Sequence, residues 1–213
     1  MDHGKKYLYF LIALVISLFF STLGRPWASV IAALLYLFAI VTAVYFITRS
    51  KVQRVLLIGF AFLAVIPLWQ LFLTNRAIYE TINNSLWAGL TLYVAVMIFR
   101  NINRATQIRT NQIFAVVSVY LLIGVFFGLI YQTVLVFDPG ALYFNPVNFR
   151  AGVPNEGDIF YYSFITLSTV GYGDVSPVAP VVRSLSTVEA VVGIMYVATM
   201  IARFVASHSG QET

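Results

Sequence analysis

The sequence predicts an all-α membrane protein with six transmembrane helices and a shorter, re-entrant helix between the fifth and the sixth. Three observations support this prediction. The chain of 213 residues is 60% hydrophobic and 10% charged, with a mean hydropathy of +0.87, whereas a soluble domain is about one quarter charged. Six long apolar runs are separated by short polar segments. A polar stretch over residues 138–184 separates the last two runs.

The apolar runs define the six helices in order. They cover residues 7–23, 27–48, 55–73, 85–99, 113–137 and 185–205. Five of them reach the range of about 17–25 residues that a crossing helix needs. The fourth is short unless it begins near Ile78 and includes Asn83 and Asn84. The first has the basic start of a signal peptide, but Arg25-Pro26 is a poor cleavage site, so we expect a retained helix.

The basic residues predict the orientation. With a cytoplasmic N-terminus, nine of the 13 Lys and Arg residues lie inside, as membrane topology requires. The indoles of Trp27, Trp69 and Trp87 then lie near the outer interface, which indole side chains prefer. The net charge of +5 therefore favours membrane topology over a nucleic-acid partner. We expect a multi-pass protein of a prokaryotic inner or cell membrane, surrounded by lipid, with both termini cytoplasmic.

One string in the polar stretch has a specific chemical meaning: Thr169-Val170-Gly171-Tyr172-Gly173-Asp174. Such a string lines up backbone carbonyls around a dehydrated potassium ion. Aiming successive carbonyls into a pore requires alternation between ordinary and left-handed backbone. Glycine adopts the left-handed form freely, whereas a residue with a Cβ loses about 1–2 kcal/mol there. The two glycines fit this need, the Thr169 hydroxyl adds an inner ligand, and Val170 and Tyr172 can pack behind.

The residues before this string predict how it is held. Prolines, glycines and asparagines over residues 138–157 predict an irregular outer loop. Asp158 is predicted as the N-cap of a short helix over residues 159–168. The C-terminal end of that helix carries about half a negative charge, which favours a cation. Non-helical backbone at membrane depth must be buried in protein or face water, so one such string per chain predicts a homotetramer.

Residues 159–205 resemble the pore domain of tetrameric potassium channels, through Tyr161-Tyr162, the string over residues 166–174, and Gly193. The whole chain resembles a compact prokaryotic six-transmembrane member of that superfamily, and the close resemblance covers about a quarter of its residues. The resemblance implies a selectivity filter that binds K⁺, with no organic cofactor. The implied ligands are the carbonyls of Thr169, Val170, Gly171 and Tyr172 and the Thr169 hydroxyl, and Gly173 closes the outer turn.

The chain departs from the family pattern in one place. Two-transmembrane bacterial members have a glutamate in the pore helix that supports the filter aspartate, and the matching residue here is Ile165. Tyr162 could hydrogen-bond to Asp174 instead.

The last helix contains a carboxyl at membrane depth. A charge there costs about 2.5–3.5 kcal/mol, so Glu189 is expected to be protonated, paired or functional. Glu189 and Gly193 are four residues apart and share a helix face, which places Glu189 behind the filter near Ser163 or Thr166. It either gates the filter or only packs. Gly193 is either a hinge or a point of close approach. A separate apolar stripe is the expected pore lining and gate: Ile194, Val197, Ile201 and Val205.

The first four helices, residues 1–110, are predicted to form a domain without voltage sensing, and residues 111–213 the pore domain. A voltage sensor needs several basic residues through its fourth helix. Here Arg100, Arg104 and Arg109 begin where the helix leaves the membrane and are interpreted as topology anchors. The short tail after Val205 leaves no room for a ligand-sensing domain, so such a regulator is expected either as a separate protein or beyond the end of this sequence.

The chain is not predicted to be an enzyme. It has no glycine-rich phosphate loop, no metal-spaced His or Cys residues and no catalytic triad, and it contains no cysteine. A passive K⁺ channel is the expected function. The alternatives are a less selective monovalent cation channel, a non-conducting K⁺-binding sensor and an uptake transporter. The transporter is disfavoured because such proteins have internal repeats and none is visible here.

Overall fold

The computed structural model describes residues 6–23, 25–47, 51, 55, 58–59, 76–104, 110–149 and 154–209. Within them the chain forms helices and two short strands, in the order α1 (Lys6–Ser21), α2 (Pro26–Ile47), α3 (Arg76–Arg104), α4 (Thr110–Phe137), β1 (Leu142–Phe144), α5 (Glu156–Leu167), β2 (Val175–Pro177) and α6 (Pro180–Ser209).

Four helical segments in the described part of the chain are long and apolar enough to cross a membrane: Trp27–Tyr45, Arg76–Arg104, Thr110–Phe137 and Pro180–Ser207. The first predicted span corresponds to α1, an apolar helix of 16 residues. Most of the third predicted span, including Trp69, lies outside the described residues. The architecture is therefore helical with four candidate membrane-crossing helices, as in a membrane channel, and the total of six spans remains a prediction.

Helix α3 is longer than its apolar centre. It has 29 residues and extends beyond Ile78, where the fourth span could begin. Asn83 and Asn84 lie inside it, because neither proline nor glycine interrupts the segment before them. The Nε of Arg76 pairs with Glu80 Oε1 at 2.6 Å on the exposed first turn. Arg104 lies in the last turn, where a cation complements the helix dipole.

Buried hydroxyls join the helices across the core. Ser17 of α1 donates to the Ala32 carbonyl of α2 at 2.8 Å. The Tyr196 hydroxyl of α6 donates to the Val116 carbonyl of α4 at 2.8 Å. One cluster of buried apolar side chains includes residues from α1, α2, α3, α4 and α6. The core thus continues across the predicted boundary between residues 110 and 111, which falls just after the first residue of α4.

The outer loop is more regular than the sequence predicts. β1 and β2 form an antiparallel pair in which Leu142 faces Pro177 and Phe144 faces Val175. The amide of Asn145 continues the pairing by donating to the Asp174 carbonyl at 2.9 Å. Prolines and glycines on both sides suggest an irregular loop, but the pairing partner comes from beyond residues 169–174. Local sequence signals do not report such a distant partner.

Candidate ion-binding site and its support

The short helix α5 begins earlier than predicted. Its N-cap is Asn155, whose side chain accepts a hydrogen bond from the Asp158 amide at 3.2 Å. The Asp158 carboxylate in turn accepts from the Asn155 amide at 2.8 Å. This reciprocal capping box makes Asp158 the third residue of the helix, so its prediction as the N-cap is wrong. Both residue types are good N-caps, and the pairing decides between them.

The segment after α5 is tied back to the end of that helix. The amides of Val170 and Gly171 both donate to the Ile165 carbonyl, at 2.9 and 3.3 Å. The Thr169 amide donates to the Thr166 carbonyl at 2.9 Å. These bonds satisfy carbonyls that a helix end otherwise leaves without partners. The amides of the segment therefore point toward α5.

The backbone of the segment alternates as the sequence predicts. Thr169, Gly171 and Gly173 have φ angles of 57°, 55° and 80°, so every second residue is left-handed. A Cβ built on Gly171 or Gly173 meets nothing within 4 Å. The two glycines are therefore required for their backbone conformation, and side-chain space does not exclude larger residues. The positive φ of Thr169 was not predicted.

Residues 168–173 are exposed on the single chain. Val170 is 50% exposed and Tyr172 is 72% exposed. The sequence predicts that these two side chains pack behind the carbonyls. Within the described residues of one chain, half or more of each of these side chains is left uncovered.

Asp174 closes the segment and is held from three sides. Its Oδ2 accepts a hydrogen bond from the Tyr161 hydroxyl at 2.8 Å. Its Oδ1 accepts from the Val175 amide at 3.0 Å, and its carbonyl accepts from Asn145. The expected bond from Tyr162 to Asp174 is therefore wrong, because Tyr161 is the donor. Consecutive residues point about 100° apart on a helix, and the sequence could not show which of the two tyrosines faces Asp174.

The Tyr161 hydroxyl remains a donor over a wide pH range. Desolvation, and then the hydrogen bond to the Asp174 carboxylate, raise the pKa of Tyr161 to about 12. An unperturbed tyrosine has a pKa near 10. The support from this bond is fully present below about pH 10 and is lost as the pH rises through about 12.

Glu189 is fully buried in α6 and faces both α4 and α5. Its Oε1 lies 2.5 Å from the Ser163 hydroxyl, and its Oε2 accepts from the Tyr131 hydroxyl at 2.6 Å. Tyr162 lies beside this group and shares a 2.6 Å hydrogen bond with Ser186. The position predicted for Glu189 beside Ser163 is confirmed, whereas its role remains a proposal.

Three glycines allow α5 to approach its neighbours closely. A Cβ on Gly193 of α6 would overlap the Leu167 carbonyl at the end of α5. Cβ atoms on Gly124 and Gly128 of α4 would overlap the rings of Phe164 and Phe160. Gly193 is therefore a point of close approach, one of the two readings that the sequence left open.

The predicted pore-lining side chains are exposed on one face of α6. Ile194, Val197, Ile201 and Val205 are between 44% and 66% exposed. They lie apart from Glu189, which faces the protein interior. The structure thus separates the apolar stripe from the buried carboxyl, as the helix periodicity predicts.

Several supporting residues were missed by sequence reasoning. Asn155, Tyr131 and Ser186 were not singled out, although they cap α5 or hydrogen-bond near Glu189. An asparagine three residues before an acid is a recognisable capping signal. Tyr131 gives no such signal, since its role depends on how α4 packs against α6.

One comparison with known proteins supports a function class. Residues 116–207 match the family model described as "Ion channel". The matched stretch begins in α4, ends in α6 and covers a little under half of the chain. No curated protein and no solved structure gave a match. Together with the four apolar helices, the match on residues 116–207 supports an ion-channel function in a membrane.

Proposed function

We propose that the chain is a potassium-selective channel that conducts K⁺ passively as a homotetramer, with residues 169–173 of four copies forming the filter. The observation that supports this most directly is the alternation of left-handed backbone at Thr169, Gly171 and Gly173. With the amides of Val170 and Gly171 turned toward α5, carbonyl oxygens are free to face an ion. Carbonyl rings of this kind replace the hydration shell of K⁺.

The exposure of this backbone supports the proposed homotetramer. Irregular backbone at membrane depth is tolerated only when it is buried in protein or lines water, and residues 168–173 are exposed on one chain. Of the apolar window of α6, 17% is buried, against 56% for α4. Four copies around one axis would cover the segment and bring α6 against its neighbours. In this assembly Tyr172 and Val170 pack against adjacent chains.

The remaining site residues have supporting roles in this proposal. Asp174 is proposed to stabilise the filter from the outer side, and Tyr162 from behind. Tyr161 contributes to this support through its hydrogen bond to Asp174. The side chains of Ile201 and Val205 form apolar rings at the cytoplasmic end, where dewetting can stop conduction. No organic cofactor takes part.

The test is ion flux through the purified protein in liposomes. We expect K⁺ flux that far exceeds Na⁺ flux, and its loss in Gly171→Ala, because a Cβ at this positive φ is unfavourable. The matched control is Gly89→Ala, since Gly89 lies in α3 and a Cβ there meets nothing within 4 Å. Equal Na⁺ and K⁺ flux would favour a less selective channel. Potassium binding without flux would favour a sensor, and sodium-coupled flux a transporter.

A further inference from the structure

The hydrogen bonds around Glu189 allow its proton to be located. Among the described residues, the groups that bond to its carboxyl are two hydroxyls: Tyr131 from α4 and Ser163 from α5. The titratable side chains close enough to interact electrostatically with it are Tyr120 and Tyr131 of α4 and Tyr162 of α5. All three are phenols, and a phenol is neutral near pH 7. The carboxyl therefore faces neutral groups that can donate or accept one proton each.

The Ser163 hydroxyl has two short contacts but only one proton. Its Oγ lies 2.7 Å from the Gly124 carbonyl and 2.5 Å from Glu189 Oε1. A hydroxyl has one proton to donate, and a carbonyl can only accept. If Glu189 were ionised, one of these two contacts would bring two oxygens together without a proton between them. Both contacts are attractive when Ser163 donates to Gly124 and Glu189 donates from Oε1 to Ser163.

The hydrogen bonds of the neighbouring hydroxyls are also satisfied when each hydroxyl donates one proton. Tyr131 donates its proton to Glu189 Oε2 at 2.6 Å, which is much shorter than its second contact, to Ser186 Oγ at 3.4 Å. Ser186 donates to the Val182 carbonyl at 2.7 Å, which leaves Tyr162 as the donor in its 2.6 Å bond with Ser186. Every hydroxyl in the group then donates once. The arrangement is complete only if Glu189 contributes one proton of its own.

We infer that Glu189 is a proton-binding site: it is held as a neutral acid that donates from Oε1 to Ser163. The proton is then a structural part of the contact that joins α6 to α5 and, through Gly124, to α4. Glu189 acts as a positioning residue, because it touches α5 and not the filter string itself. The location of the proton is independent of ion conduction, whereas its effect on the filter depends on the proposed function.

Infrared spectroscopy of the purified protein in lipid at neutral pH tests the proton directly. A protonated carboxyl has a carbonyl stretch that an ionised carboxylate lacks. We expect this band in the wild-type protein and its loss in E189Q. In Y131F the band should remain but move to higher frequency, because Oε2 loses its hydrogen bond. E156Q, which changes another acid near α5, is the matched control and should keep the Glu189 band unchanged.

Two results would overturn the inference: no carboxylic band removed by E189Q, or a band in Y131F at the wild-type position. If E189Q fails to fold, the position of the carboxylic band in Y131F still tests the inference. The infrared readout needs no flux, so failure of the proposed function leaves it intact. In flux measurements E189Q should keep the wild-type K⁺ flux, because the amide donates to Ser163 and accepts from Tyr131. E189A should lose flux, and a loss in both variants would contradict the positioning role.

Discussion

Thr169 combines a side chain with a left-handed backbone. Its φ of 57° costs about 1–2 kcal/mol relative to an ordinary conformation. Part of this cost is offset by the hydrogen bond from its amide to the Thr166 carbonyl. A threonine is retained here at a cost that glycine would avoid, which fits the proposed use of its hydroxyl as an ion ligand.

Replacing Tyr161 by phenylalanine should weaken ion binding. The change removes the donor to Asp174, and a hydrogen bond to a charged group is worth about 1.5–3 kcal/mol. Because both residues are only partly buried, the lower end of this range sets the upper limit, an apparent K⁺ affinity weakened by up to roughly tenfold. Potassium-dependent thermal stabilisation of the purified protein measures it. Tyr143→Phe, at a half-exposed tyrosine of β1, is the control, and equal affinities in both variants would refute the Tyr161 support.

Glu156 should make stability depend on pH. Desolvation, and then the nearby Glu80, raise the pKa of Glu156 at the start of α5. Its contribution to stability is therefore present at low pH and is lost as the pH rises through the folded-state pKa. The effect should be small, because the residue retains solvent contact and water screens its charge. Melting temperatures at mildly acidic and neutral pH should differ less in Glu156→Gln than in wild type.

The control for Glu156 is Asp138→Asn, at an exposed acid after α4 that is not expected to change this pH dependence. A wild-type pH profile retained in Glu156→Gln would contradict the assignment.

Sequence reasoning locates these side chains to within one or two positions. The left-handed glycines follow from their chemistry, and the place of Glu189 follows from counting helix angle. The choice between Tyr161 and Tyr162 depends on the rotation of α5, which is set by packing against α4 and α6 and is not encoded in any local pattern. The choice between Asn155 and Asp158 is local, because an asparagine three residues before an acid is itself a capping signal.

The packing of α5 against α6 requires a residue without a side chain at position 193. A Cβ on Gly193 would overlap the backbone oxygen of Leu167, which cannot move away as a flexible side chain can. Gly193→Ala should therefore destabilise the protein, although alanine is intrinsically better in helices by about 1 kcal/mol. Gly89→Ala, in the open face of α3, should be neutral or stabilising. Thermal unfolding of both variants checks this, and similar melting temperatures would show that α6 can shift freely.

Two helices outside the predicted pore domain, α1 and α3, contact that domain through their ends. Arg203 near the end of α6 donates to the Ile102 carbonyl of α3 at 2.6 Å. Helix α1 ends at Ser21, whose carbonyl lies close to Gly157 of α5. A Cβ on Gly157 would overlap this carbonyl. Thus α3 contacts the end of α6, and α1 contacts the start of α5, within the proposed pore domain. Hydropathy predicts that these helices exist, but it carries no information on which ends meet.

Conduction should depend weakly on voltage. Between Arg76 and Arg100, helix α3 has Glu80 as its charged side chain, and moving one charge through the membrane field is worth about 2.3 kcal/mol per 100 mV. A helix with its basic residues at its two ends moves little charge. Bilayer recordings over a range of voltages should show a shallow change in open probability. Activation as steep as several gating charges require would contradict this prediction.

The antiparallel pair of β1 and β2 connects the outer loop mechanically to the outer end of the proposed filter. Phe144 is paired with Val175, and Asn145 is bonded to Asp174, so a displacement on one strand moves the other. Val147, at the tip, is 70% exposed. A fluorophore attached at Val147 would therefore act as a remote reporter of movement at the mouth, without obstructing the passage of ions.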